Sequence, residues 1–305
     1  MPTSSIAGLH ITADASLQRR EGGRVLLGGS PWKVMRVSER GARLLDDLLA
    51  GAPVGESRAV QSLVRRLLDA GLVQPTGAPT HLTTDDVTVV IPVRGALVPG
   101  LLDAIGVVHQ IIVVDDASPE PVRTPSTNAH GVGITVVRHS ECKGPGGARN
   151  TGLQLTNDEL VAFVDADCIP SPGWLGPLLE QLADPAVAAV APRIIAVEDD
   201  PEPSRLSRYE RVRAALDRGP EPGRVRARTR VPYVPSAALL VRRDLTLLHN
   251  GFDSTMWFGE DVDFVWRLDE AGLVVRYEPS STVAHHHRTA PRDWARRRYQ
   301  YGTSA

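Results

Sequence analysis

Residues 161–170 read VAFVDADCIP: four apolar residues, then Asp165-Ala166-Asp167, then a turn. The apolar half has the density of a strand buried on both faces. Two carboxylates one residue apart at the end of such a strand are costly to bury unless something positive meets them. That partner is either a structural arginine or a metal ion with a substrate attached.

Working outward, three more segments read as strands, the first two with this same doubly buried character. VTVVIP (87–92) and QIIVVDD (110–116) are rich in β-branched residues, and GITVVRH (133–139) precedes the glycine-rich KGPGGARNTGL (143–153). Strands alternating with helical stretches predict an α/β fold whose sheet is mostly parallel, with helices on both faces. Ligands of such sheets bind beyond the carboxyl ends of the strands. Pro92 and Arg94, Asp115 and Asp116, and Asp165 and Asp167 all fall there. Residues 197–230, charged and broken by Pro and Gly, read as a mobile excursion over that crevice.

The chain before this has a different pattern. RREGGRVLLGGSPWKVMRV (19–37) holds two short β-like runs with turn chemistry between them, and two helices follow. The first, in SERGARLLDDLLAG (38–51), is capped by Ser38 and stopped by Gly51; the second sets Val60, Leu63, Val64, Leu67 and Leu68 on one face. This predicts a winged-helix-like domain over 1–78, a linker over 79–86 and an α/β domain over 87–305. A length of 305 residues accommodates both. With 34 basic against 36 acidic residues, the composition excludes a general nucleic-acid binder. Cys142 and Cys168 are too few for a disulfide framework and fit a reducing cytoplasm. No signal peptide or bilayer-spanning apolar run is present in the sequence.

Each polar motif admits a chemical and a plain reading. Asp165 and Asp167 suit a hard divalent cation, magnesium or manganese, that keeps places for phosphate oxygens; alternatively Asp167 caps a helix starting near Ser171. Asp115 and Asp116 either accept hydrogen bonds from a uracil ring or ribose, or form an Asx-type turn. The glycine amides, Gly146 among them, with Lys143 and Arg149 suit a phosphate at a helix start, or else form a capped loop. In MWFGEDVDFVWRLDEAG (256–272), Glu260 and Asp261 either supply a general base or complement the helix dipole. In STVAHHHRTAP (281–291), alternation puts His285 and His287 on one face, as metal ligands or as a solvated strand end. The basic RDWARRRYQYG (292–302) either clamps a diphosphate or forms an amphipathic helix.

Taken in this order, VVIPVRG, IIVVDDAS, KGPGGARNTGL, FVDADCIP, FGEDVDFVWRL and the late histidines strongly resemble the family 2 glycosyltransferases of the GT-A fold. The resemblance runs from about 87 to 301. It implies a UDP-sugar donor, with Pro92, Val93 and Arg94 framing the base and Asp115 and Asp116 at the uracil or ribose. It further places Lys143, Gly146 and Arg149 near the diphosphate, and Asp165 with Ala166 near ribose or metal. Asp167 would ligate Mn2+ or Mg2+ with His285 or His287, and Asp261, beside Glu260, would be the base of an inverting transfer. The family's usual Tyr-Asn after the first proline is Val93-Arg94 here. The Q-x-x-R-W motif of processive members has only a loose relative in RRRYQYG.

The first domain resembles PqqD-like peptide-binding domains, and the whole chain resembles the mycofactocin-biosynthesis glycosyltransferases. That resemblance implies transfer of glucose from UDP-glucose onto a peptide-derived acceptor, premycofactocin, and extension of a β-linked oligomer. It also implies a truncated C-terminus and a cytoplasmic protein, peripheral to the inner membrane face through residues beyond Ala305. Oligomeric state is left open. The rival readings are a sugar-nucleotide nucleotidyltransferase and a noncatalytic peptide-binding scaffold.

Overall fold

The structure is a computed structural model that describes residues 5–77, 80–197, 204–286 and 291–302. The first unit contains β1 (His10–Ala13), β2 (Gln18–Arg20), β3 (Val25–Gly28), β4 (Lys33–Arg36), α1 (Glu39–Leu49), α2 (Arg58–Asp69) and β5 (Val73–Thr76). Strands β2, β3 and β4 form one antiparallel sheet, and β1 pairs with β5. Ser38 caps α1 by accepting from the Gly41 amide at 3.1 Å, and Gly51 leaves the helix at φ 102°, where glycine carries no Cβ penalty. Leu45, Leu48, Val64 and Leu67 meet Leu26 and Val73 in a core of their own. The two β-like runs of the sequence are thus three strands, joined by a further pair that brackets the unit.

The linker ends in a 3-10 turn, Thr84–Asp86, where Thr83 and Asp86 form a reciprocal capping box. The α/β unit follows as β6 (Val87–Val93), α3 (Leu101–Ala104), β7 (Gln110–Asp115), β8 (Ile134–Arg138), α4 (Gly144–Gln154), β9 (Leu160–Val164) and β10 (Cys168–Pro170). It continues through α5 (Leu175–Gln181), β11 (Val187–Ala196), α6 (Arg205–Arg213), β12 (Gly223–Arg224), β13 (Ala238–Arg242), α7 (Arg243–Leu248), α8 (Glu260–Glu270), β14 (Val274–His285) and α9 (Pro291–Gly302). The sheet order is β10-β14-β11-β13-β9-β6-β7-β8, with β12 on β14.

From β9 to β8 every pairing is parallel, as the alternating sequence predicts. Residues of successive parity on β6, β7 and β9 enter different cores, whereas the edge strand β8 is half-exposed. Val89, Ile91, Val113 and Val164 pack on one face, and Val90, Ile112, Val114 and Phe163 on the other. That double burial is why the strands read as unbroken apolar runs. Beyond β9 the sheet is mixed: β13 runs antiparallel to β9 and β11, while β11 and β14 are parallel.

The described part of the 197–230 excursion is anchored, contrary to the mobile segment expected. Strand β12 pairs with β14, and Arg224 bridges Asp69 of α2 to Asp269 of α8 at 2.7 and 2.8 Å. Arg230 reaches the buried Asp14 at 2.9 Å. Further across this seam, Arg65 grips Asp184 through two bonds of 2.7 and 2.8 Å, and buried Arg276 donates to Gln74 at 2.6 Å. Among the described residues no helix is long and apolar enough to cross a membrane.

Candidate active site

Strand pairing assembles the site. Antiparallel β10 sets Cys168 opposite His285 of β14, which brings the late histidine to the Asp165–Asp167 corner. The loop before β13 closes the other side: Asp165 N–H donates to Ala237 O at 2.8 Å, and Ser236 N–H approaches Asp261 Oδ2 at 3.4 Å.

For Asp165, the positive partner is a structural arginine. Arg149 of α4 is buried and donates to Asp165 Oδ1 at 2.6 Å and to Glu260 Oε1 at 2.9 Å. Its guanidinium lies over the Phe252 ring, 5.3 Å from the centroid. Burial opposes its charge, but the carboxylates of Asp165 and Glu260 outweigh that effect and raise its pKa. Burial likewise pushes the Asp165 and Glu260 carboxyls up, while Arg149 holds them back. Arg149 therefore pairs with two carboxylates of the protein itself, one of them the buried Glu260. Its neighbour Asp261 is half-buried in the first turn of α8. Asp261 Oδ1 accepts from Val262 N–H at 2.9 Å, and Oδ2 accepts a long bond from Ser236 N–H at 3.4 Å.

For Asp167 the surroundings differ. Its side chain is 54 % accessible, and His285 Nε2 lies 3.4 Å from Oδ2. A carboxylate oxygen and an imidazole nitrogen at that separation, both reaching solvent, fit two positions around one divalent cation, with the rest open to water and phosphate. Among the described residues no three His, Cys, Asp or Glu side chains form a closed metal cage. His287 lies outside the described residues. The helix expected from Ser171 begins at Leu175, so Asp167 does not cap it.

Asp115 and Asp116, expected at the nucleotide, both accept bonds from within the chain. Asp115 is fully buried and accepts from Ser118 N–H, Val122 N–H and Arg138, which hold its pKa at about 2 against the desolvation that would raise it. Asp116 is also buried: Oδ1 accepts from His139 Nδ1 and Lys143 N–H, each at 2.8 Å, and Oδ2 from Gly144 N–H at 2.9 Å and the Cys142 thiol at 3.0 Å. The Lys143 and Gly144 amides thus face a carboxylate of the chain itself. A Cβ on Gly146 would stand 3.2 Å from both Asp253 O and Phe252 Cβ, so this glycine permits close packing of α4 on the loop before α8. Pro92 and Val93 are buried within β6, Ala166 is half-buried, and Arg94, Lys143 and Asp167 are exposed. His139 and Ser236 belong to the site and were missed by the sequence reading. The signals available were a histidine just past a β-branched strand and a Pro-Ser turn opening another.

A mixed sheet with acidic strand ends, one carboxylate beside a histidine and a second acidic pair at the start of α8 together frame the candidate site. The family model "Glycosyl transferase family 2" matches residues 88–246, and the chain belongs to that family. It is 41 % identical over 302 residues to the Pre-mycofactocin glycosyltransferase of Mycobacterium tuberculosis, a match that takes in 98 % of this chain and 62 % of the relative. It is 30 % identical over 203 residues to Polypeptide N-acetylgalactosaminyltransferase 6 of Bos taurus, covering 59 % of this chain and 32 % of that one. Among solved structures, GalNAc-T7 with UDP, GalNAc and Mn2+ superposes with a TM-score of 0.50 at 17 % identity, covering 69 % of this chain and 45 % of that one. TarS 1-349 of S. aureus in complex with UDP-GlcNAc gives 0.50 at 16 % identity, covering 67 % and 59 %. The chain shares the GT-A fold of these structures, and it spans 62 % of the length of the Mycobacterium relative.

Proposed function

We propose that the chain is the catalytic part of an inverting hexosyltransferase that uses a UDP-sugar donor and a peptide-derived acceptor of the premycofactocin type. The observation that carries this reading is the Arg149 bridge. One buried cation ties Asp165, two residues from Asp167, to Glu260, next to Asp261, so the donor-side and acceptor-side acids face one crevice. Asp261 would take the proton of the acceptor hydroxyl as that oxygen bonds to the anomeric carbon and the bond to the diphosphate breaks, UDP leaving with the electron pair. Asp167 and His285 would hold Mn2+ or Mg2+, which when bound would offset the charge developing on UDP. Lys143 and Arg94, at the crevice mouth, would face the nucleotide. Glucose as the hexose and β-linked extension rest on the resemblance to the mycofactocin transferases, as do a cytoplasmic location and attachment to the membrane face.

The first unit fits a PqqD-like role in presenting the acceptor. Its strand β4 ends the three-stranded sheet, and Trp32 and Val34 are exposed there.

Calorimetric titration of UDP with and without Mn2+ tests the reading. Metal-dependent binding is expected in the parent and is expected to be lost in Asp167→Ala. Asp261→Asn should retain that binding while transferase kcat falls by roughly 10²–10⁴. Equal UDP binding in parent and Asp167→Ala, or full activity in Asp261→Asn, contradicts the assignment.

A further inference from the structure

We infer that His139 is a positioning residue for the donor, acting through Asp116 on the loop that walls the nucleotide crevice; this rests on the nucleotide-sugar reading above. Helix α4 begins without a side-chain cap from its own N-cap residue, Lys143. The acceptor comes from another strand end: Asp116 takes the Lys143 and Gly144 amides and the Cys142 thiol, three consecutive donors. Asp116 N–H also donates to Val93 O at 2.8 Å, so the carboxylate that gathers this loop is itself tied to the end of β6, next to the exposed Arg94.

A carboxylate that gathers three donors of one loop must itself be held in one rotamer, and His139 does this. It is 7 % exposed, its Nδ1 lies 2.8 Å from Asp116 Oδ1, and its Nε2 lies 3.0 Å from Thr151 Oγ1, about two turns into α4. Because the Asp116 carboxylate only accepts, Nδ1 carries the proton. The His139 backbone is fixed too, its N–H donating to Asp115 O at 2.9 Å. One imidazole thereby links the end of β7, the start of α4 and the helix body. Without it the Asp116 carboxylate keeps its bonds to residues 142–144 but loses its partner outside that loop's own donors, so the common acceptor of the two amides is held less firmly.

The test uses isosteric pairs. An asparagine amide nitrogen falls near the position of Nδ1, and a glutamine amide nitrogen near that of Nε2. UDP titration with Mn2+, donor KM and thermal melting are compared for the parent, His139→Asn, His139→Gln and His139→Leu, with Asp167→Ala alongside. His139→Asn is expected to bind like the parent. His139→Leu and His139→Gln should bind roughly ten-fold more weakly and show a raised donor KM, as loss of a bond to a charged group predicts, with kcat within about two-fold of the parent. Parental binding in folded His139→Leu overturns the inference and leaves the nucleotide reading standing. So does equal weakening of His139→Asn and His139→Leu, which shows that the Asp116 contact is not what matters. No UDP binding by the parent removes the nucleotide reading and this inference together, and Asp167→Ala, expected to lose binding whatever His139 does, tells the cases apart.

Discussion

Replacing Arg149 by methionine keeps an apolar stem over Phe252 but leaves Asp165 and Glu260 without their shared cation. Breaking a buried ion pair from one side costs about 3–5 kcal/mol, because the orphaned charge stays desolvated. Urea unfolding of Arg149→Met should therefore show a loss of that order near neutral pH. The loss should also depend on pH. Burial already raises both carboxyls in the folded state, and a raised acid destabilises the fold as pH climbs from its unfolded value toward its folded one. Without Arg149 that rise is larger, so the deficit should shrink at pH 5 and grow by pH 8. A variant as stable as the parent at both pH values would contradict the central place given to Arg149. The motifs themselves were legible in the sequence, since each places an acid just past an apolar run. Their division of labour was not. Arg149 and Glu260 lie 111 residues apart, and local sequence carries no sign that the two neutralise each other in the interior.

Gly152 shows how closely one element sits on another. A Cβ there would collide with Val90 of β6, so α4 lies on the sheet at a distance only glycine permits. Gly152→Ala should destabilise by about 1–3 kcal/mol through overpacking, read as a lower urea midpoint. Val90→Ala should recover part of that in the double variant, because contacting residues are non-additive. Additive losses would show that the contact does not limit packing. The same close layering makes β6, β7 and β9 readable, since residues buried on both faces leave no polar interruption. The antiparallel half was harder to read. Strand β11 pairs with β14 through register shifts at Val187/Ala189 and Pro192/Arg193, and β14 carries Glu278, Ser280 and Ser281 in its middle, so the sequence reveals only its last few residues as a strand. The excursion was misread for a related reason. Its arginines look solvated in sequence, yet Arg224 and Arg230 find carboxylates on the first unit.

At the scale of the whole molecule those arginines define a polar seam between the two cores. Arg276 is buried with one side-chain bond, and desolvation draws its pKa down to about 10. Gln74 accepts from it and donates to Asp14 at 2.8 Å, so the chain Arg276–Gln74–Asp14–Arg230 crosses from β14 through β5 to the excursion. Desolvation alone would raise the Asp14 carboxyl, but bonds from Arg230, Ser16 and Gln74 prevail and lower it from 3.8 to about 2. A group lowered in this way stabilises the fold above its unfolded pKa, and the contribution is lost as pH falls toward the folded value. It amounts to about 2 kcal/mol for a shift of this size. Stability measured by urea should therefore fall between about pH 4 and pH 2, less steeply in Asp14→Asn, which should also start lower at pH 7. If the seam joins the units into one cooperative structure, melting of the parent at pH 7 should show a single transition, and Asp14→Asn combined with Arg276→Met should split it so that the first unit melts at the lower temperature. Two separate transitions in the parent would mean that the cores fold independently despite the ion pairs, because each has enough apolar interior of its own and the seam contributes little beyond orientation.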